Sequence, residues 1–107
     1  MKSICAIIPE KKLGDVNTAL HKIGISGMTV IDSKGRGKHL PQPNQMGHWF
    51  YFSEFADNNV LLILSNDADV GNVVDTIKAT AGIGKIIVTN VEELFDIQKN
   101  VTGEAAL

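Results

Sequence analysis

The sequence has few of the features that mark secreted, membrane-spanning or nucleic-acid-binding proteins. Cys5 is the single cysteine, so no internal disulfide can form, and its place in an apolar strand predicts a buried thiol. No apolar run reaches 18 residues, which predicts no membrane span, and the N-terminus lacks a signal-peptide pattern. A net charge of −2 disfavours a general nucleic-acid binder. We expect a cytoplasmic protein that neither inserts into membranes nor binds nucleic acid.

Catalytic motifs are also missing. The sequence has no HExxH, no Ser/His/Asp order in a suitable context and no paired carboxylates in an apolar setting. Asp67 and Asp69 suit the start of a helix, where the helix dipole favours acidic side chains. No histidine is evident in the sequence as a partner that would make Cys5 a nucleophile. We therefore expect no enzyme activity and no catalytic residues.

The apolar patterns predict one α+β domain over residues 1–107. Hydrophobic residues make up 44% of the chain, enough for a modest core. The predicted elements are strand 3–8, helix 12–23, strand 27–33, strand 60–64, helix 70–81 and strand 84–88. This βαββαβ order is the ferredoxin-like pattern. Its two helices cover one face of the sheet, so the apolar residues of the other face predict a partner, most simply in a closed homo-oligomer.

A long polar segment, about residues 37–51, follows the second strand. Pro41, Pro43 and Gly47 break regular structure there, and loops of this length in compact domains are functional or disordered. We expect residues 38–47 to be mobile without a ligand or partner. The four aromatic residues at 49–52 either begin the third strand, with alternate rings buried, or form a patch that faces a partner.

Two glycine-containing turns beside basic residues form the candidate site. Residues 34–38 read KGRGK and residues 81–85 read AGIGK. Glycine leaves backbone N–H groups accessible, and adjacent cations make such a concavity suitable for a phosphate or another anion. The alternative is a flexible strand end with solvated basic side chains, because short glycine motifs are weak signals.

Residues 24–30 (GISGMTV), followed by KGRG at 34–37, resemble the signature of the PII signalling family. The likeness is collinear over nearly the whole chain. It extends to Met1–Ile8, Val74–Ile77, Gly84–Val88 and Thr102–Glu104. The resemblance implies a non-enzymatic homotrimer that binds an adenine nucleotide (ADP, AMP or ATP) in the clefts between subunits. It also implies that the long loop engages a target protein, such as a transporter or a metabolic enzyme.

The resemblance also assigns site residues, and it implies that the two glycine turns come from neighbouring subunits. Adenine and ribose would contact Ile7, Gly27, Met28, Thr29, Gly35 and Leu64. The phosphates would contact Arg36, Gly37, Lys38, Gly84 and Lys85, with Lys99 reaching them from the C-terminal segment. Core packing is the alternative explanation for the side chains of Ile7, Met28 and Leu64.

The chain departs from the family pattern where phosphates are held. The second glycine turn is shorter than usual and lacks its acidic residue. Asn58 and Leu62 stand where the family has a lysine and a glutamate, and Lys99 and Val101 stand where it has arginines. These losses favour ADP or AMP over ATP and disfavour 2-oxoglutarate sensing. They fit a divergent member, as in the carboxysome-associated, bicarbonate-linked branch, so bicarbonate is a further candidate effector and the pathway concerns either carbon or nitrogen.

A second hypothesis is a metal-responsive trimeric binding protein that uses His39 and His48. No carboxylate or cysteine cluster completes such a site in the sequence, and exposed loop histidines explain the same residues. Tyr51 stands where some relatives are nucleotidylylated, although its neighbours Phe50 and Phe52 differ from that motif and favour packing.

Overall fold

The computed structural model describes residues 1–37 and 55–107. Its main elements are β1 (Lys2–Pro9), α1 (Leu13–Lys22), β2 (Thr29–Gly35), β3 (Ala56–Ser65), α2 (Val70–Ala81) and β4 (Lys85–Asn90). The short strands β5 (Phe95–Asp96) and β6 (Val101–Thr102) pair near the C-terminus. The predictions for Lys38, His39, His48, Tyr51 and the aromatic run lie outside the described residues.

The four main strands form an antiparallel sheet in the order β2-β3-β1-β4. Each helix links two strands that are separated by a third strand, because α1 crosses over β3 and α2 crosses over β1. This is the ferredoxin-like α+β arrangement, and the predicted element order is confirmed.

The core lies between the two helices and one face of the sheet. Side chains alternate across a strand, so every second residue of β1 and β3 faces the helices. The helices contribute residues four apart, which share one helical face. The fully buried apolar residues are Ile4, Ala6, Ile8, Val16, Leu20, Leu61, Ile63, Val73, Ile77 and Ala81.

The helix ends follow from local chemistry. The Asn66 side chain accepts a hydrogen bond from the Asp69 N–H at 2.9 Å, which caps the turn that leads into α2. Gly82, at φ 72°, donates its N–H to Lys78 and closes α2 in the left-handed conformation that glycine adopts without strain. Gly24, at φ 88°, follows α1 in the same way. These glycines end the helices as the sequence predicts.

The second face of the sheet, called the open face here, is not covered by any described part of the chain. It carries Ile31, Leu62, Leu64 and Ile87, which are 37–48% exposed. Cys5 also lies on this face, between Leu62 and Ile87, and is only half-buried. The prediction of a buried thiol is therefore wrong for the single chain, because β1 is central in the sheet but is covered on one face only.

The sheet has two ends that matter for the site. At one end, called the Gly35 end here, β2 stops at Gly35, β1 stops at Pro9 and β4 begins at Lys85. At the opposite end, called the Leu64 end here, β1 begins and β3 stops, and Leu64 pairs with Ser3. The segment after β4, with β5 and β6, leaves from the Leu64 end, where the Val91 N–H donates to the Met1 carbonyl at 3.1 Å.

Candidate functional site

The turn before β4 packs directly against β1. Gly84 has φ 131°, and a Cβ built on it would collide with the carbonyl oxygen of Ile7. Lys85 follows immediately and lies opposite Ile7 in the β1–β4 register. Glycine is required at position 84 because of both the backbone angle and the close approach. The structure thus brings three of the residues assigned by the resemblance, Ile7, Gly84 and Lys85, together within one chain.

The basic segment at the end of β2, residues 34–36, contacts residues at the start of β3; we call this segment the basic exit of β2. The Lys34 Nζ lies 2.6 Å from the Asp57 Oδ1, which offsets one positive charge of this exit. The Arg36 guanidinium carbon lies 6.0 Å from the centre of the Phe55 ring, at the outer range of a cation–π contact. Arg36 and the exposed Gly37 therefore stay at the Gly35 end.

Sequence reasoning missed these two neighbours, Phe55 and Asp57. It also missed the proximity of Asn58 to Gly35: a Cβ on Gly35 would lie 2.6 Å from the Asn58 Nδ2. The signal that could have found them is the β2–β3 register, which pairs Lys34 with Asp57 and Gly35 with Ala56. That register depends on the long connection between the strands, and its length hides which residues meet.

A second group of predicted site residues lies toward the Leu64 end. Met28 packs against the core, which supports the packing explanation for its side chain. Thr29 is exposed on the open face opposite Leu62, and the exposed Gly27 lies two residues before it in the connection from α1. Leu64 is 47% exposed on the same face, so core packing within the chain does not explain it.

Lys99 lies in the turn between β5 and β6. Its N–H donates to the Asp96 Oδ1 at 2.8 Å, which orders this turn, and the residue itself is exposed. The segment is attached at the Leu64 end through the contact of Val91 with Met1. Lys99 therefore belongs with the second group rather than with Arg36 and Lys85.

Gly35 and Leu64, the outermost members of the two groups, are too far apart to contact one adenine ring within one chain. Ile7 and Lys85 lie between them at the register of Val60. Gly35 pairs with Ala56, and Leu64 lies eight residues further along the same strand. At about 3.4 Å per residue this is a separation of about 27 Å. One adenine ring cannot contact both Gly35 and Leu64 of the same chain. The chain therefore presents two partial sites, one at each end of the sheet.

The ends of the sheet also differ in their charged groups. Near the Leu64 end, the Met1 amino group donates a hydrogen bond to the Asp67 Oδ1 at 2.9 Å. This hydrogen bond, reinforced by the positive charge of the amino group, lowers the pKa of the Asp67 carboxyl. At the Gly35 end, Arg36 and Lys85 supply exposed positive charge.

Two further classes of site were tested on the described residues. Residues 1–37 and 55–107 contain no group of three or more His, Cys, Asp or Glu side chains placed to hold a metal ion. Within the same ranges, no helix has the length and apolar character needed to cross a membrane. The histidines of the metal hypothesis, His39 and His48, lie outside these ranges.

The fold and site together define a small ferredoxin-like protein that leaves one sheet face bare and carries anion-suited turns at one end of the sheet. Comparison with known proteins identifies the family. The model of the family described as Nitrogen regulatory protein P-II matches residues 1–101. The chain therefore belongs to the P-II family, and the resemblance noted in its sequence is confirmed.

Curated relatives match over the whole chain. The chain is 36% identical to Nitrogen regulatory protein P-II 2 of Methanothermobacter thermautotrophicus, of which it covers 97%. It is 36% identical to Nitrogen regulatory protein P-II of Porphyra purpurea and 37% identical to Nitrogen regulatory protein P-II 1 of Escherichia coli K12, each covered in full. These alignments span 112 positions, whereas the chain has 107 residues, so the chain carries at least five gaps against each.

Proposed function

We propose that this chain forms a homotrimer, binds an adenine nucleotide in the clefts between subunits, and regulates a target protein through residues 37–51. The observation that carries the proposal is the separation of the two partial sites. A second copy, placed with its Leu64 end against the Gly35 end of the first, would complete a site that one chain cannot form. A closed ring of such contacts gives every subunit one complete site.

The composition of each half follows from the sheet. We propose that one subunit supplies both glycine turns, with Ile7, Gly35, Arg36, Gly37, Lys38, Gly84 and Lys85. Its neighbour supplies Gly27, Met28, Thr29, Leu64 and Lys99. This division differs from the one that the sequence resemblance implied, which placed the two glycine turns on different subunits. Within one chain both turns point toward the same end of the sheet, from its two edge strands β2 and β4, which favours a single subunit as their source.

The bare face of the sheet supports the same assembly. Its exposed apolar side chains, among them Ile31, Leu62 and Ile87, are stabilised by burial against a second and a third copy. Burying apolar surface contributes about 25 cal/mol per Å², so an interface over the whole face is strongly favourable. Static light scattering of the full chain at micromolar concentration is expected to give three times the monomer mass. A monomer under these conditions would remove the shared site.

The charges available to phosphate favour a nucleotide with fewer than three phosphates. Arg36 and Lys85 are exposed cations at the described Gly35 end, Lys34 forms an ion pair with Asp57, and the neighbour would supply Lys99. Each phosphate brings negative charge that fixed donors have to match. We therefore propose that ADP and AMP bind at least as tightly as ATP.

Calorimetric titration with AMP, ADP and ATP tests this assignment. A hydrogen bond to a charged group contributes roughly 1.5–3 kcal/mol, so Arg36→Ala and Lys85→Ala should each weaken ADP binding about tenfold to a hundredfold. The exposed Lys22→Ala, on α1, is the matched control and should bind as the wild type does. ATP binding far tighter than ADP binding, or indifference to both site substitutions, would show that the site is misplaced.

Regulation requires the protein with nucleotide bound to differ from the nucleotide-free protein in the segment that contacts the target. Arg36 stands at the point where residues 37–51 begin, so phosphate bound there biases this segment directly. The relatives are nitrogen regulatory proteins by name, which favours a target in nitrogen metabolism over the bicarbonate-linked alternative. A thermal-shift screen of the three nucleotides, bicarbonate and 2-oxoglutarate ranks the effectors, because a ligand of the folded state raises its stability.

A further inference from the structure

A groove on the helix-covered face is distinct from the proposed nucleotide site except for the turn that carries Gly84 and Lys85. It runs between α2 and the edge strand β4 and has a volume of about 450 Å³, within the range of roughly 300–1,000 Å³ of small-ligand pockets. We propose that this groove binds an amphipathic carboxylate, with its aliphatic tail against the groove floor and its anionic group at Lys78 on the rim. It would be a second effector site of the protein.

The floor of the groove is apolar. Ile8 of β1, Ile86 of β4, and Val74 and Ile77 of α2 line it. Val74 and Ile86 are half-buried, because α2 lies over β1 and leaves β4 at the sheet edge partly uncovered. An aliphatic tail completes the cover that α2 does not provide. Each buried methylene contributes about a fourfold gain in affinity.

The charge of the groove selects the head group. Lys78 and Lys85 line it, and none of its lining residues is acidic. The β1–β4 register places the Lys85 side chain on the open face with Ile7, so Lys78 supplies the positive charge on the helix-covered face. Lys78 lies in the last turn of α2, and its carbonyl accepts the hydrogen bond from the Gly82 N–H that closes the helix. A carboxylate is therefore favoured over an uncharged or a cationic head group of the same length.

The groove and the nucleotide site lie on opposite faces of the sheet. Ile8 faces the helices, whereas its neighbour Ile7 belongs to the open face, since successive residues of a strand point to opposite sides. The two sites share only the turn from Gly82 to Lys85. A ligand in the groove that shifts this turn changes the positions of Gly84 and Lys85 and thereby alters nucleotide binding. This coupling between the two sites rests on the proposed function.

Sodium octanoate is the probe, titrated into the 107-residue chain labelled at its Ile and Val methyl groups for NMR. Saturable shifts are expected at Ile8, Val74, Ile77 and Ile86. Octanoate should bind about fifteenfold tighter than hexanoate, because two more methylenes are buried, and should outcompete octylamine. Shifts confined to the open face, equal binding of octylamine, or no saturable binding would each overturn the groove.

Two variants make the assignment specific. Lys78→Glu should weaken octanoate at least fivefold and leave octanol binding unchanged, whereas Val74→Asp should weaken both. The controls are Lys22→Glu on α1 and Ala79→Asp on α2, exposed positions that do not line the groove, and both should bind as the wild type does. Octanoate binding that appears only on dilution of the oligomer would assign the groove to a second copy and overturn the proposal.

A parallel ADP titration separates the two proposals. Reciprocal change of ADP and octanoate affinities, each altered by the other to the same factor, supports coupling through the shared turn. Octanoate binding without any ADP binding refutes the proposed function and leaves the groove standing. ADP binding without octanoate binding refutes the groove alone.

Discussion

Gly84 shows how one residue fixes the geometry of the site. Its φ of 131° lies outside the range that L side chains adopt readily, and its Cα approaches the Ile7 carbonyl too closely for a Cβ. The same contact holds the turn against β1 and leaves Lys85 opposite Ile7. Gly84 is therefore needed both for the stability of the turn and for the position of Lys85.

Gly84→Ala should destabilise the chain by about 1–3 kcal/mol, because the substitution adds both backbone strain and a clash. Urea unfolding measures the effect. Gly71→Ala, in α2 with open space around its Cβ, is the control and should instead stabilise by up to about 1 kcal/mol through helix propensity. Equal effects of the two substitutions would contradict the strained turn.

The residue scale also shows where sequence reasoning succeeds and fails. Gly24 and Gly82 were identifiable as helix ends because each follows a periodic apolar stripe. Cys5 was misjudged because an apolar run in a strand does not tell which of its two faces is covered. Leu64 entered the candidate site only through the family resemblance, since an exposed leucine in a strand has no distinct pattern of its own.

The elements themselves follow from the sequence more closely than their contacts do. The spacing of Val73, Ile77 and Ala81 on α2 defines a buried stripe that packing confirms. The register between β2 and β3 was not predictable, because residues 38–54 separate the strands and no short turn fixes their pairing. The neighbours of the basic exit, Phe55 and Asp57, were missed for that reason.

The start of α2 offers a test at the scale of the element. Asn66→Ala removes the side-chain acceptor of the Asp69 N–H and should cost about 1 kcal/mol. Asn72→Ala, at an exposed position within α2, is the matched control and should be neutral or slightly stabilising, since alanine is the better helix former. Urea midpoints of both variants against the wild type decide it; an Asn66→Ala midpoint at the wild-type value would contradict the cap.

At the scale of the whole molecule, the bare sheet face and the two partial sites both favour the assembly of several copies of the chain. The sequence predicted that the second face would lack a cover, because two amphipathic helices suffice for one face only. It could not predict how a second copy is oriented, since that depends on which residues lie at which end of the sheet. The antiparallel register supplies this information by placing Gly35 and Leu64 about 27 Å apart on one strand pair.

A mixing experiment tests the shared site most directly. Lys85→Glu damages the Gly35 end, and Lys99→Glu damages the half supplied by the neighbour; both residues are exposed, so the fold is retained. Each variant alone should lose high-affinity ADP binding, because a carboxylate then faces the phosphates. Co-refolded in equal amounts, the two variants should recover wild-type affinity at about one quarter of the sites, those that combine two intact halves in a random ring. A mixture that binds ADP no better than either variant would contradict a site built from two subunits.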